Sequence, residues 1–444
     1  MSFKVCLINP LPTRFPVIDI CEPLSLISLG TYLHNAGVQV KIVDESIGED
    51  AILEVQAFEP NLVGFTATTY AYPRAVVLAN QVKQKGYRTV IGGVHASALP
   101  GLAYQDGFDM VVVGEGEKML LEIVEKEYRK GIFKPSSDMI LKEEEIPFLD
   151  KTLINLDIYS RFFKNSVLRG GVLGTHLLGM RGCPYTCIFC YNSGRQYPVR
   201  ILNATRIFAE VEEIIKISSI RHIDFQDDDF FICKKRIKEF CQLEIKKKLG
   251  FTWSCAARSS SVDEETIGLA AASGCRRIGF GFESGSQRIL DRMEKSLSVE
   301  QNMAAARLCH KYKIEIHAYI TVGNPGEQEE DLRLTREFIK KAYPGFASPT
   351  RLCPYPGTAL WKWCQDEGYI NNIDFKNLSY RHADIQIPGT FTPEKVGKIR
   401  IKLFLWSCLI LPRMRRRLMV ALFRQLSVTF MFLMRRLSYK IKQN

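Results

Sequence analysis

The chain has 444 residues, 46% of them hydrophobic and 24% charged, with a net charge of +12 from 60 Lys+Arg against 48 Asp+Glu. That is too long for one ordinary core and too apolar for disorder, so two domains and an extension are expected. Ten of the 13 cysteines are scattered singly, and Met1–Pro10 lacks the regions of a secretory signal, which argues against a disulfide framework and for the reducing cytoplasm. No recognised nucleic-acid-binding motif accompanies the charge, much of which lies after Lys395, so no nucleic-acid partner is expected.

Residues 1–130 alternate apolar runs with helical segments. Val5–Ile8, Val38–Val43, Leu62–Thr66, Thr89–Gly92 and Met110–Val113 read as buried strands, and Leu24–Asn35, Asp50–Phe58, Pro73–Lys85 and Lys118–Arg129 as helices. The pattern predicts an α/β, doubly wound, flavodoxin- or Rossmann-like parallel sheet, whose ligands bind at the carboxyl ends of the strands. The residues to examine there are Thr66 and Thr68, then Gly92, Gly93 and His95, then Gly114, Glu115 and Gly116. For the threonines, strand-end capping is the competing reading; His95 is expected to cap a turn or line a pocket rather than to ligate a metal.

Residues 131–173 read as a linker with an acidic run at Glu143–Glu145. Over 174–360 a second series of units begins, with strands His176–Gly179, Ile223–Gln226, Phe251–Ala256, Arg277–Gly281, Ile314–Thr321 and Ala347–Leu352. Six strands separated by helices predict a partial (β/α)6 barrel of the TIM type, with its chemistry at the strand C-termini. After the first strand, Met180–Asn192 holds Cys183, Cys187 and Cys190 in eight residues, and Gly182 and Pro184 make the stretch a loop. No fourth Cys or His follows within the next thirty residues, so a metal centre held here keeps an open coordination position. Packing thiols or half a zinc site is the competing reading. The later strand ends carry Asp227 and Asp228, Arg258, Glu283 and Ser284, and Gly323.

The spacing Cys-x3-Cys-x2-Cys, with the aromatic Phe189 before the third cysteine, resembles the radical S-adenosylmethionine (SAM) superfamily. Glu22–Leu26, Gly92–Ala96 and Val113–Glu117 resemble the cobalamin-binding domain that precedes the barrel in one branch of it, so the likeness covers roughly residues 1–360. The resemblance implies a 4Fe–4S cluster on Cys183, Cys187 and Cys190 with SAM on its open iron. It further implies Phe189 beside adenine; Asp227 or Asp228 suits the SAM amino group or a cationic or hydroxylated substrate, with a divalent metal the competing reading, Arg258 suits the SAM carboxylate or a bridge to the Asp cluster, and Glu283 suits ribose hydroxyls. Other cobalamin-binding proteins carry Asp-x-His-x-x-Gly, whose His ligates cobalt; this chain has Ser46 and a displaced Gly48, so cobalamin without a protein His lower ligand is expected.

The activity implied is a radical SAM, cobalamin-dependent methyltransferase acting on an unactivated carbon. A radical oxidative cyclase or rearrangement enzyme is the alternative, and a non-enzymatic cofactor sensor a remote one. A small-molecule or lipid-like substrate and an external electron donor such as flavodoxin or ferredoxin are the implied partners. Residues 361–444 form a helical, basic extension in which Arg413, Arg415, Arg416, Arg417, Arg424, Arg435 and Arg436 interrupt the apolar runs. No run reaches the ~18 apolar residues of a spanning helix, so the tail either lies peripherally on an anionic membrane surface or covers the barrel mouth.

Overall fold

The computed structural model describes residues 3–11, 20–166, 171–194, 197–370, 373–379 and 385–420. Its first sheet contains β1 (Lys4–Asn9), β2 (Gln39–Asp44), β3 (Leu62–Thr66), β4 (Arg88–Gly92), β5 (Met110–Val112) and β6 (Gly131–Phe133), in the order β2-β1-β3-β4-β5-β6. Every pairing is parallel. Helices cover both faces, so the strands read as continuous apolar runs such as Val5-Cys6-Leu7-Ile8, all at most 1% exposed. One expectation is corrected: the stretch taken as linker from residue 131 opens with β6, which pairs with β5, and later forms the helix Leu156–Asn165.

The chain then forms β7 (Gly174–Leu177), the short β8 (Met180–Arg181) and β9 (Arg200–Ile201), β10 (His222–Phe225), β11 (Thr252–Ala257), β12 (Cys275–Glu283), β13 (Glu315–Val322) and β14 (Phe346–Arg351). β7 and β10 to β14 make a six-stranded parallel sheet in sequential order, the open barrel the pattern predicts. Alternate residues point to opposite sides. Phe225, Trp253, Ile278 and Phe280 pack under the helices, while His222, Asp224 and Ser254 on the other side hydrogen-bond one another. β8 and β9 pair antiparallel and bracket the cysteine loop.

A buried junction joins the two sheets. Glu22, just before the helix Leu24–Asn35, pairs with Lys151 and accepts a hydrogen bond from the Thr175 hydroxyl at 2.7 Å. His176 Nδ1 lies 3.4 Å from the same carboxylate. Burial would raise Glu22, but the Lys151 charge and the His176 hydrogen bond hold it down at about 2. Burial would likewise lower His176, yet hydrogen bonds to Cys21 and Glu22 lift it to about 9.

The described part of the extension divides in two: Cys364, Phe375 and Ile387 pack over the strand ends, against Ile188 of the cysteine loop, Met293 and His95, and the later helix lies away from the barrel mouth. The helix Pro393–Ile410 packs on the outer side of β13 and β14 as the sixth barrel helix, through Val396, Leu403 and Ser407. Beyond it Arg417 pairs with Glu315 at the start of β13, the base of the barrel. Arg424, Arg435 and Arg436 lie outside the described residues. Among the described residues no helix is long and apolar enough to cross a membrane.

Candidate functional site

The cysteine loop follows the β7 strand end and faces the carboxyl ends of β10 to β12. Each of its three sulfurs meets one N–H donor. The backbone N–H of Tyr185 donates to Cys183 and that of Asn192 to Cys190, and Arg258 Nη1 is 3.9 Å from Cys187 Sγ. Burial pushes the Cys183 thiol up to about 11 and also raises Cys190, with the neighbouring cysteines contributing. Donors on every sulfur suit thiolates carrying an anionic cluster. Among the described residues no group of three His, Cys, Asp or Glu side chains converges on one point. A cubane takes each thiolate on a different iron, and three thiolates would leave its fourth iron without a protein ligand.

Around the loop, Arg258 stacks 3.8 Å above the Tyr185 ring and donates to the Ser296 carbonyl at 3.0 Å, while its buried Nε has no partner. Phe189 is half-buried with Lys295 Nζ 5.6 Å from its ring, and Lys295 pairs with Glu283 at 3.0 Å. Glu283 has φ 59°, at a register shift between β12 and β13, so its carboxylate is aimed by a backbone conformation that costs free energy. Asp228 is exposed beside the loop, where Asn192 Nδ2 donates to it at 2.7 Å.

Across from this loop lie the strand ends of the first sheet. Gly93, with φ 89°, packs so closely on the end of β3 that a Cβ would come 2.7 Å from Thr66 Oγ1. Thr68 is exposed at the end of β3. His95 is buried between Tyr72, 4.0 Å away, and Phe375, 4.8 Å away, with Nδ1 3.3 Å from Thr69 Oγ1. Burial holds its ring down at about 4. Its Nε2 and the buried Oγ of Ser46 have no partner, two orphan polar atoms at the strand ends where a large polar cofactor finds hydrogen bonds.

Several sequence candidates are instead taken up by the protein. Asp227, expected to meet the SAM amino group, is fully buried: it accepts from the backbone N–H of Gly179 at 2.5 Å and of Met180 at 3.2 Å, and pairs with Arg236 at 3.2 Å. Burial pushes it up to about 6 in spite of Arg236. Ser284 is fully buried against Thr335 and accepts from the Ser286 N–H. Gly323 donates its N–H to Glu327 at 2.7 Å beneath Val396. Glu115 pairs with Arg181 and Arg200 from the rims of the cysteine loop. Glu117 pairs with Arg181 at 2.8 Å and accepts from Ser28 Oγ. Gly114 donates its N–H to Ser97 Oγ, and a Cβ there would run into the Tyr197 hydroxyl, while Gly92 and Gly116 lie close-packed beside Val112 and Leu29. Arg181, Tyr185, Tyr197, Arg200 and Lys295 escaped the sequence reading. Arg181 stands inside the Met180–Asn192 stretch, and only its position there hinted at a role.

The Radical SAM superfamily model matches residues 177–339, and the B12 binding domain model residues 17–124. A radical SAM domain and a B12 binding domain are both present in the chain. An uncharacterized methyltransferase of Pyrococcus horikoshii is 28% identical over 435 residues, covering 90% of this chain and 92% of that protein. The anaerobic magnesium-protoporphyrin IX monomethyl ester cyclase of Rubrivivax gelatinosus is 26% identical over 387 residues, 79% and 67% of the two chains. The solved structure of the radical SAM methyltransferase TsrM from Kitasatospora setae superposes with a TM-score of 0.68 over 82% of this chain and 76% of that one, at 19% identity. That likeness shows the two-domain α/β fold. This radical SAM protein is accordingly an enzyme of a 4Fe–4S cluster, SAM and cobalamin.

Proposed function

We propose that this radical SAM enzyme methylates an unactivated carbon of a small or lipid-like substrate, in the reducing cytoplasm or at the inner membrane surface, with electrons from an external flavodoxin- or ferredoxin-type donor. Residues 1–130 would hold cobalamin, 174–360 the cluster and SAM. The observation that carries the reading is the double clasp of Arg181 and Arg200 on Glu115 and Glu117, which turns the B12-binding strand ends toward the cysteine loop. Together the bound cofactors supply a 5′-deoxyadenosyl radical and a transferable methyl group. The chain's own part is to orient them: Cys183, Cys187 and Cys190 fix the cluster, and Arg258 and Asp228 offer opposite charges for the two ends of a zwitterion. Glu283, braced by Lys295, offers an acceptor to hydroxyls.

Anaerobic reconstitution with iron, sulfide and hydroxocobalamin, followed by SAM and dithionite, tests this. Both 5′-deoxyadenosine and S-adenosylhomocysteine are expected. The first without the second favours the oxidative cyclase, a reading the Rubrivivax relative supports. Absence of both would leave a sensor.

The cobalamin is read as lacking an imidazole lower ligand, since the Asp44–Gly48 turn carries no His and the His95 ring is packed between two aromatics. Nitrogen superhyperfine splitting from a protein imidazole in the Co(II) resonance spectrum would refute that.

A further inference from the structure

The helix Pro393–Ile410 has two unlike sides. Val396, Leu403 and Ser407 are buried on the barrel wall. On the opposite side Ile401, Leu405 and Leu409 are 51%, 56% and 71% exposed. Their spacing of four places them in one stripe, one above the next along the helix. Lys398 and Lys402 are exposed on the same side, since steps of 100° put Lys398 within the arc that the stripe spans and Lys402 about 20° beyond its edge. The next described turns add exposed Arg413, Arg415 and Arg416. A barrel helix that packs by one side alone has polar residues on its other side. Here that side is apolar and cationic together.

The charge distribution points the same way. After Glu394 the sequence has thirteen Lys+Arg and no Asp or Glu, leaving 47 Lys+Arg against 48 Asp+Glu in the rest. The excess charge of the chain is therefore confined to this extension. An apolar stripe rimmed by lysine and arginine, with Glu394 in the first turn as the one carboxylate of the helix, complements an anionic lipid bilayer: leucines enter the acyl boundary and cations stay among the headgroups.

We propose that the outer face of this helix, Ile401, Leu405 and Leu409 with Lys398 and Lys402, docks the protein peripherally on anionic membrane. The geometry fixes the posture as well. Arg351 at the end of β14 donates to the Pro393 carbonyl at 2.8 Å, and Arg417 pairs with Glu315 at the base, so the helix runs down the barrel wall from rim to base. Docking by this face lays the barrel on its side. The mouth then stays open to solvent, to the electron donor and to a substrate arriving along the surface. This docking rests on the tail alone and stands or falls apart from the cofactor chemistry.

The test is flotation of the full chain with vesicles of phosphatidylcholine alone or with about one third phosphatidylglycerol. Wild type should float with the anionic vesicles only, and binding should fall at least about tenfold between ~0.1 M and ~1 M salt, where the Debye length shortens from ~10 Å to ~3 Å. The triple variant Ile401→Ser, Leu405→Ser, Leu409→Ser and, separately, Lys398→Glu with Lys402→Glu should each lose about tenfold or more, while Leu53→Ser, an exposed leucine of the first domain, should not change. Circular dichroism confirms folding, and uncoupled SAM cleavage should stay at the wild-type level. Equal flotation with neutral vesicles, unchanged flotation of the triple variant, or binding to an RNA column without flotation would each overturn the proposal.

Discussion

Two acid-rich turns frame the site, and they are used differently. Gly114-Glu115-Gly116-Glu117, after β5, spends both carboxylates on arginines of the cysteine loop. Gln226-Asp227-Asp228-Asp229, after β10, divides its three: Asp227 is closed on Arg236 and two backbone N–H groups, Asp229 accepts from Ser261, and Asp228 stays exposed. A carboxylate at a strand end in this fold is thus more often a strut than a ligand. What is left for the cofactors is sulfur, Arg258, Glu283, the exposed Asp228 and a few polar atoms without partners.

The largest expected effect breaks the site at its centre. Cys183→Ala, Cys187→Ala and Cys190→Ala should each reduce iron content, cluster absorbance and 5′-deoxyadenosine formation to background, because two thiolates do not retain a cubane. A variant that kept its cluster and turned over would remove the central assignment.

The second sharpens the contrast within one turn. Asp227→Ala strands Arg236, whose side chain is 3% exposed, and should cost about 3–5 kcal/mol in urea unfolding. Asp228→Ala should leave stability within about 0.5 kcal/mol while lowering SAM cleavage severely. Equal destabilisation by both would erase the distinction between strut and ligand.

A third concerns the Glu22–Lys151–His176 junction and pH. His176 is lifted from 6.5 to about 9 in the folded chain, so its contribution is complete below pH 6.5 and is lost as pH rises toward 9. Glu22 is lowered from 4.5 to about 2, so its contribution is complete above pH 4.5 and is lost as pH falls toward 2. Stability should therefore fall by up to a few kcal/mol between pH 6.5 and 9, and His176→Gln should flatten that limb. A wild-type curve level over that range would show that the ring is neutral when folded.

These contrasts also mark what the sequence discloses. Parallel strands buried on both faces write themselves as apolar runs, so five strands of the first sheet and all six of the barrel were legible to within about two residues. β6 was not, because Gly131-Ile132-Phe133 is too short to carry a period and its middle residue is exposed. The cysteine loop was legible because its spacing is local. The fate of the carboxylates was not: Glu115 finds Arg181 and Arg200 at separations of 66 and 85 residues, and nothing near it in the chain announces either partner. Asp227 and Asp228 are adjacent in sequence and opposite in role, which only the direction of each side chain decides.

The smallest effect tests the first turn directly. Glu115 is 15% exposed, so solvent screens its pair with Arg200, and Glu115→Gln keeps a hydrogen-bonding oxygen while removing the charge. The expected loss is about 1 kcal/mol of stability. Since both carboxylate oxygens already accept from guanidinium groups, retention of hydroxocobalamin through gel filtration should not change. The dipolar broadening of the Co(II) resonance by the reduced cluster should weaken instead, because the clasp that sets their separation has loosened. A variant of full stability that released cobalamin would make Glu115 a cofactor ligand after all, and the two acid-rich turns would then be alike.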